Sequence, residues 1–357
     1  MRLALVLLLA ACSSKPAPAY ITTEDGIAQI DDAEVDQLSL TCGGFMYHES
    51  LADAVAALQP HAARPGPDYT IDRGALVRAA LPALDRERIV GTIGALSAMR
   101  NRYYQSQTGA AASEWLAERW RSYSRRTDVT VELVDHGYAQ KSVVLTIPGT
   151  TRASEVVVIG GHLDSIAMGG RAAVAPGADD DASGIATLDE VAHVLLANDY
   201  RPARTLKFMA YAAEEVGLRG SLSIARDYDK RGVNVVGVLQ LDMTNYPGSD
   251  KDVWVIRDHT NAAQNAFVGR LIDEYVHASW GWDECGYACS DHASWDRYGY
   301  PASMPFEARK NEMNRRIHTR DDTLATSDAS GEHAIKFARI GLAYAIELAK
   351  GELGLGT

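Results

Sequence analysis

Between Glu155 and Leu196 the chain runs from an apolar strand-like stretch, Glu155 to Ile159, through a loop dense in glycine and acid, to a helix-like stretch. Ile185, Leu188, Val191 and Leu195 recur there at helical spacing and mark one apolar face. The alternation continues with a strand from Thr205 to Ala210, a helix near Leu218 to Asp227, and a strand from Val235 to Leu241. Strand, helix, strand, helix specifies an α/β fold with a three-layer α/β/α arrangement, a mixed, mainly parallel central sheet carrying helices on both faces. In open sheets of this kind ligands collect outside the carboxyl ends of the strands. His162 and Asp164 fall where the first strand ends, and Asp179 where the next helix begins. A histidine and several carboxylates at a strand exit and a helix entrance form half of a metal site.

Upstream, Asp85 to Tyr104 reads as a helix on Ile89, Ile93, Leu96 and Met99. Ser113 is placed to cap a second helix carrying Trp115, Leu116 and Trp120. Val129 to Val134 and Ser142 to Ile147 read as strands, with His136-Gly137 in the turn between them. Tyr20 to about Pro67 shows neither helical nor strand period, and reads as a pro-region or accessory piece.

The first residues are a targeting signal: Arg2, an apolar core from Leu3 to Leu9, then Ala10-Ala11-Cys12-Ser13-Ser14. Leu9-Ala10-Ala11-Cys12 also matches a lipobox, which would make Cys12 the lipidated first residue of a tethered protein. Ser13 after that cysteine favours an outer-membrane address in a diderm bacterium. The division expected is therefore a signal at 1–12, a tether and N-terminal segment at 13–68, and one large domain at 69–357. A net charge of −12 opposes a nucleic-acid partner, which needs a basic face. Cys285 and Cys289, four apart, suit a local disulfide in an oxidising compartment, with zinc ligation as the rival. Cys42 is left over.

Three further stretches carry chemistry. Glu214-Glu215 follows the strand ending at Ala210, Asp242 follows the one ending at Leu241, and Asn314 to Asp322 contains His318 late in the chain. In a parallel sheet the groups behind the strands converge on one edge. A carboxylate can bridge two ions with its two oxygens, while an imidazole gives one nitrogen to one ion. One bridging Asp, two terminal carboxylates and two histidines would hold two zinc ions, and a neighbouring glutamate outside the set would be free to act as a base. For Glu214 and Glu215 to share one site the pair must sit in a turn, because adjacent side chains of an extended chain point apart.

The stretches Gly160-Gly-His-Leu-Asp-Ser165, Ala175-Pro-Gly-Ala-Asp-Asp-Asp-Ala-Ser-Gly184, Phe208 to Ser221, Gln240-Leu-Asp-Met-Thr-Asn245, Cys285 to Trp295 and Arg316-Ile-His-Thr319 closely resemble the secreted bacterial leucyl aminopeptidase family with a co-catalytic two-zinc site. The resemblance covers about Thr70 to Lys350. It implies that Asp179 bridges the ions, that Glu215 and His318 complete one and His162 and Asp242 the other, and that Glu214 is the general base. It also implies that Asp164 orients His162, that a cis peptide follows the bridge at Asp179-Asp180, and that Ser290 donates to a carboxylate behind the ligands. Met243, Ile256, Cys285, Tyr287, Cys289, Met304, Phe306 and Ile317 match positions lining an apolar pocket for the first side chain of a peptide. Lys310 and Met313 depart from the aromatic side chains that family members can carry there, which makes the far wall more open or differently charged.

The implied function is removal of N-terminal, Leu-like residues from peptides with a free N-terminus by a monomeric enzyme outside the cytoplasm. Two alternatives use the same fold: an amidohydrolase or cyclase acting on other termini, and a binding module that has lost its ligands. The complete ligand set speaks against a cyclase and a binding module, and the sequence offers no evident basic clamp for a C-terminal carboxylate beside the site.

Overall fold

The computed structural model describes residues 18–40, 44–59 and 61–354, so the expectations for Cys12 and Cys42 lie outside the described residues. In chain order its regular elements are β1 (Ala19–Thr23), β2 (Gly26–Ile30), α1 (Asp32–Ser39), β3 (Met46–His48), α2 (Leu51–Ala57), α3 (Gly74–Ala80), α4 (Arg86–Ser97) and α5 (Gln107–Ser122). Next come β4 (Thr130–Val134), β5 (Ser142–Ile147), β6 (Arg152–His162), α6 (Ala182–Ala197), β7 (Arg204–Tyr211), α7 (Arg219–Lys230) and β8 (Asn234–Gln240). The last are β9 (Val253–Ile256), α8 (Ala262–Leu271), β10 (Trp280–Asp283), α9 (His292–Arg297), β11 (Ala302–Ser303), β12 (Pro305–Phe306) and α10 (Ala334–Ala349).

The central sheet has the order β11-β8-β6-β7-β5-β4. Its middle strands β8, β6 and β7 are parallel, and β5 and β4 close one side antiparallel. This is the mixed, mainly parallel sheet that the alternation specifies. Strand periodicity sorts the core into two layers. Val157 and Ile159 of β6 and Leu206 and Phe208 of β7 face α4, α5, α6 and α10. Val156, Val158, Met209 and Tyr211 face α7 and α9. With both faces covered, the central strands carry apolar residues on both sides, as in Val156 to Ile159 of β6 and Val235 to Leu239 of β8. Each such side chain, fully buried, contributes about 1.5–3 kcal/mol.

Two expectations are corrected. The helix from Asp85 stops at Ser97, because the segment to Ser106 turns inward and buries Asn101 and Arg102. The next helix begins at Gln107 and is capped by Ser106, whose hydroxyl accepts from Gly109 N at 2.8 Å. Ser113 lies inside that helix and bonds Lys141 O at 2.8 Å. The described residues between 20 and 67 form short elements although the sequence shows no period there: β2, β1 and β3 make a small antiparallel sheet, flanked by α1 and α2. Short strands with small polar insertions leave no pattern long enough to read. This sheet docks on the main domain, Tyr47 N bonding Gly217 O at 2.9 Å while Arg219 lies 3.8 Å over the Tyr47 ring.

Candidate metal centre

All the chemistry gathers at the carboxyl edge of β6, β7 and β8. His162 is the last residue of β6, Glu214 and Glu215 follow β7, and Asp242 follows β8. Ala213 (φ 56°) and Gly217 (φ 99°) bracket the two glutamates in a turn, as their sharing one site requires. His318 arrives from the loop before α10.

Asp180, and not Asp179, stands between the histidines. One Asp180 oxygen is 3.0 Å from His162 Nε2 and the other 3.1 Å from His318 Nε2. Glu215 lies 2.8 Å from His318 Nε2, and Asp242 3.6 Å from His162 Nε2. Asp179 turns away, accepting from Asn314 Nδ2 at 2.8 Å. The cis peptide likewise falls one residue later, at Asp180-Asp181. Helix capping sets this frame: Asp181 is the N-cap of α6, its carboxylate taking Gly184 N at 2.8 Å, which leaves the residue before the cap to face the site. The cap was legible, since a helix starting at Ala182 makes Asp181 its cap.

Three buried carboxylates behind the centre fix the ligand loops by their backbone N–H groups. Asp164 accepts from Glu214 N and Glu215 N at 3.0 and 3.2 Å, and its Oδ1 faces His162 Nδ1 at 3.4 Å. Asp181 accepts from His162 N and Met243 N, each at 3.0 Å. Asp322 accepts from Asp179 N and Asp180 N at 3.0 and 3.1 Å. Asp181 and Asp322 were not singled out from the sequence. The Ser290 hydroxyl accepts from Gln240 Nε2 at 3.1 Å, and the same amide reaches the carboxylate of Asp291.

The electrostatics call for cations. Burial alone would lower His162 and His318, yet the charges of Asp242 and Glu214 on the first and of Glu215 on the second hold both well above the usual imidazole value. Burial pushes Glu215 up to about 7, with Asp180 adding to the rise. Burial also lifts Glu214 well above the carboxylate range, against the pull of His162. Two sets of atoms, from His162, Asp180 and Asp242 and from Asp180, Glu215 and His318, each converge within 4.8 Å. Glu215 Oε1 is buried without a hydrogen-bond partner. Oxygen and imidazole donors, converging with too few protons to satisfy them, fit divalent ions.

A cavity opens beside these groups, walled by Met243, Tyr287, Met304, Phe306, Ile317 and Lys310, with Ser39, Gly44 and Phe45 of the N-terminal segment on its rim. Ile256, expected on that wall, is fully buried behind it in the same apolar cluster. Cys285 and Cys289 are disulfide-bonded, which decides between the two readings of the pair. Glu214 lines the cavity while belonging to neither set of converging atoms, 4.0 Å from His162 Nε2.

A profile of Peptidase family M28 matches residues 142–343. The chain is similar to leucine aminopeptidase 1 of Coccidioides posadasii, 38% identical over 289 residues that cover 76% of this chain and 74% of the relative. A probable leucine aminopeptidase of Arthroderma otae is 32% identical over 357 residues, 97% of each chain. Among solved structures, the LapA aminopeptidase of Legionella pneumophila superposes with a TM-score of 0.84 at 29% identity, over 94% of this chain and 99% of that one. The similarity reaches fungal as well as bacterial proteins, so the narrower likeness to a bacterial branch gives way to the family as a whole.

Proposed function

This chain belongs to Peptidase family M28 and is a metallo-aminopeptidase, and from that footing we propose that it releases bulky apolar residues from the free N-termini of peptides using two zinc ions. The observation that carries the reading is Asp180, with one oxygen toward each histidine. His162 and Asp242 would hold one ion and Glu215 and His318 the other, with Asp180 common to both. Bound there, zinc polarises a carbonyl and lowers the pKa of a water to about 7.

Glu214 is the general base. Its carboxylate faces the cavity, and burial raises its proton affinity toward the working range, so that it can take a proton from water and return it to the leaving amine. Asp164 fixes the backbone from which Glu214 projects. The carboxylate-rich wall suits a free amine and excludes an acylated one. The first side chain enters the pocket of Met243, Met304, Phe306 and Ile317, where each buried methylene favours binding by about 0.8 kcal/mol.

The signal pattern ending at Cys12 and the Cys285–Cys289 bond together support a protein exported from the cytoplasm and anchored by lipid. Among the described residues no helix is long and apolar enough to cross a membrane. The enzyme works as a monomer in this reading.

The test is hydrolysis of leucine p-nitroanilide beside its N-acetylated form, with metal-replete, chelated and Glu214→Ala protein. Cleavage of the free amine alone, abolished by chelation and in the variant, is expected. Equal cleavage of the acetylated form would refute selection for chain ends.

A further inference from the structure

The segment between α4 and α5 places a guanidinium where no part of the reaction uses it. Arg102 is fully buried, and its hydrogen bonds run to main-chain carbonyls: Nε donates to Leu163 O at 2.8 Å, Nη2 to Gly177 O at 2.8 Å, and Nη1 to Pro176 O and Leu96 O. Leu163 directly follows His162, and Pro176 and Gly177 lead into Asp180. Leu96 lies in the last turn of α4, whose carbonyls favour a cation.

The main chain of Arg102 ties down the remaining pieces. Its N–H donates to Ser165 Oγ at 3.0 Å, and its carbonyl accepts from Gln140 Nε2 at 3.0 Å. The other end of the Gln140 amide accepts from Ala213 N at 3.2 Å, one residue before the glutamate pair. Gly177 makes the approach possible. It sits at φ +52°, and a Cβ there would come within 2.8 Å of Nη2 and 2.5 Å of Ser165 Cβ.

A buried cation is costly unless its donors are satisfied, and a planar fork of five N–H groups can serve carbonyls of several chain segments at once in a fixed geometry that a lysine lacks. We propose that Arg102 is a positioning residue for the metal centre: by clasping the loop after His162 and the loop before Asp180 to the end of α4, it sets the distance between His162 and Asp180 and hence the affinity for the ions. The inference rests on the two-zinc reading.

The two roles open to Arg102 predict opposite signs. As a mere counter-charge among Asp322, Asp181 and Asp164, its removal would tighten binding of a cation. As a clasp, its removal loosens the site. Zinc dissociation constants of the full-length protein would be measured by competition with a chromophoric chelator for wild type, Arg102→Lys and Arg102→Met, together with visible spectra of the cobalt-loaded forms. Ile346→Ala, at the far end of α10, serves as a destabilised control. The positioning role predicts zinc binding weakened tenfold or more in Arg102→Lys, on the scale of groups that orient metal ligands, with altered cobalt bands. Arg102→Met should weaken it further, and Ile346→Ala should bind as wild type. Unchanged or tightened binding in Arg102→Lys, or equal weakening in Ile346→Ala, overturns it. Should Arg102→Met fail to fold, the lysine variant decides alone. A wild-type protein that binds two ions but shows no aminopeptidase activity would overturn the proposed function and leave this inference standing. A wild type that binds none overturns both.

Discussion

Replacing Asp164 by Asn changes one atom's charge and hydrogen count with almost no change of volume, in a side chain that is fully buried. Each Asp164 oxygen accepts a backbone N–H, from Glu214 at 3.0 Å and from Glu215 at 3.2 Å. An asparagine keeps one acceptor, but its amide nitrogen must then face the other N–H, donor against donor. The loss is one hydrogen bond to a charged group, about 1.5–3 kcal/mol. The carboxylate that faces His162 Nδ1 at 3.4 Å disappears as well, and among the described residues that ring nitrogen has no other acceptor. About 3 kcal/mol is about a hundredfold in an equilibrium or rate constant. The expected result for Asp164→Asn is therefore a kcat/KM on leucine p-nitroanilide about a hundredfold below wild type, and zinc affinity lower by about 10–100-fold. Far-UV circular dichroism should be unchanged. Values within threefold of wild type in both assays would show that the glutamate turn holds its own shape, and the argument for Asp164 would fall.

The frame of the aspartate triplet is tested by metal stoichiometry. Asp180→Asn should lose one zinc and nearly all activity, while Asp179→Asn, which keeps its contact with Asn314, should retain two; the reverse pattern would restore the frame expected from the sequence. Acid stability follows from His292, fully buried with neither ring nitrogen hydrogen-bonded, whose pKa burial lowers to about 4. An unfolded imidazole takes its proton near 6.5, so between these values the unfolded chain binds more protons and stability falls as pH drops. His292→Leu should thus gain on wild type in urea midpoint as pH falls from about 6.5 toward 4, and a constant difference across that window would contradict the burial argument. Lys310 stands on the pocket wall, 5.2 Å from the Tyr287 ring centroid. Lys310→Met should raise kcat/KM for leucine p-nitroanilide by about threefold to tenfold, since one added apolar contact is worth on the order of 1 kcal/mol, and a fall would show that the ammonium aids rather than hinders apolar substrates.

How much of this was legible depended on whether a feature is local. The strand at Ser142 to Ile147 and the helix from Ala182 follow from periodicity, and both lie where the pattern puts them. The convergence of His162, Glu215 and Asp242 follows from parallel strands that all end on one edge. The triplet Asp179-Asp180-Asp181 defeats a reading by residue type, because three identical side chains differ only in direction, and direction is set by the cap hydrogen bond of Asp181. Asp322 and Arg102 were out of reach for a different reason. They act on backbone groups distant in sequence, Asp322 on Asp179 and Asp180, Arg102 on Leu163 and Gly177, and such contacts have no signature in residue spacing.

The loop that delivers His318 is clamped to the aspartate triplet through Asp322 and Asn314, and it lies just ahead of helix α10, which itself packs on α6. During synthesis the chain emerges from its N-terminus, so the imidazole of His318 and the clamp of Asp322 appear when most of the chain has been made. A nascent piece ending at Asp242 already contains one converging set, His162, Asp180 and Asp242, but none ending before His318 contains both. In the two-ion reading the second ion could be captured only after His318 has been made, so uptake of a second zinc would itself report that synthesis has passed that residue.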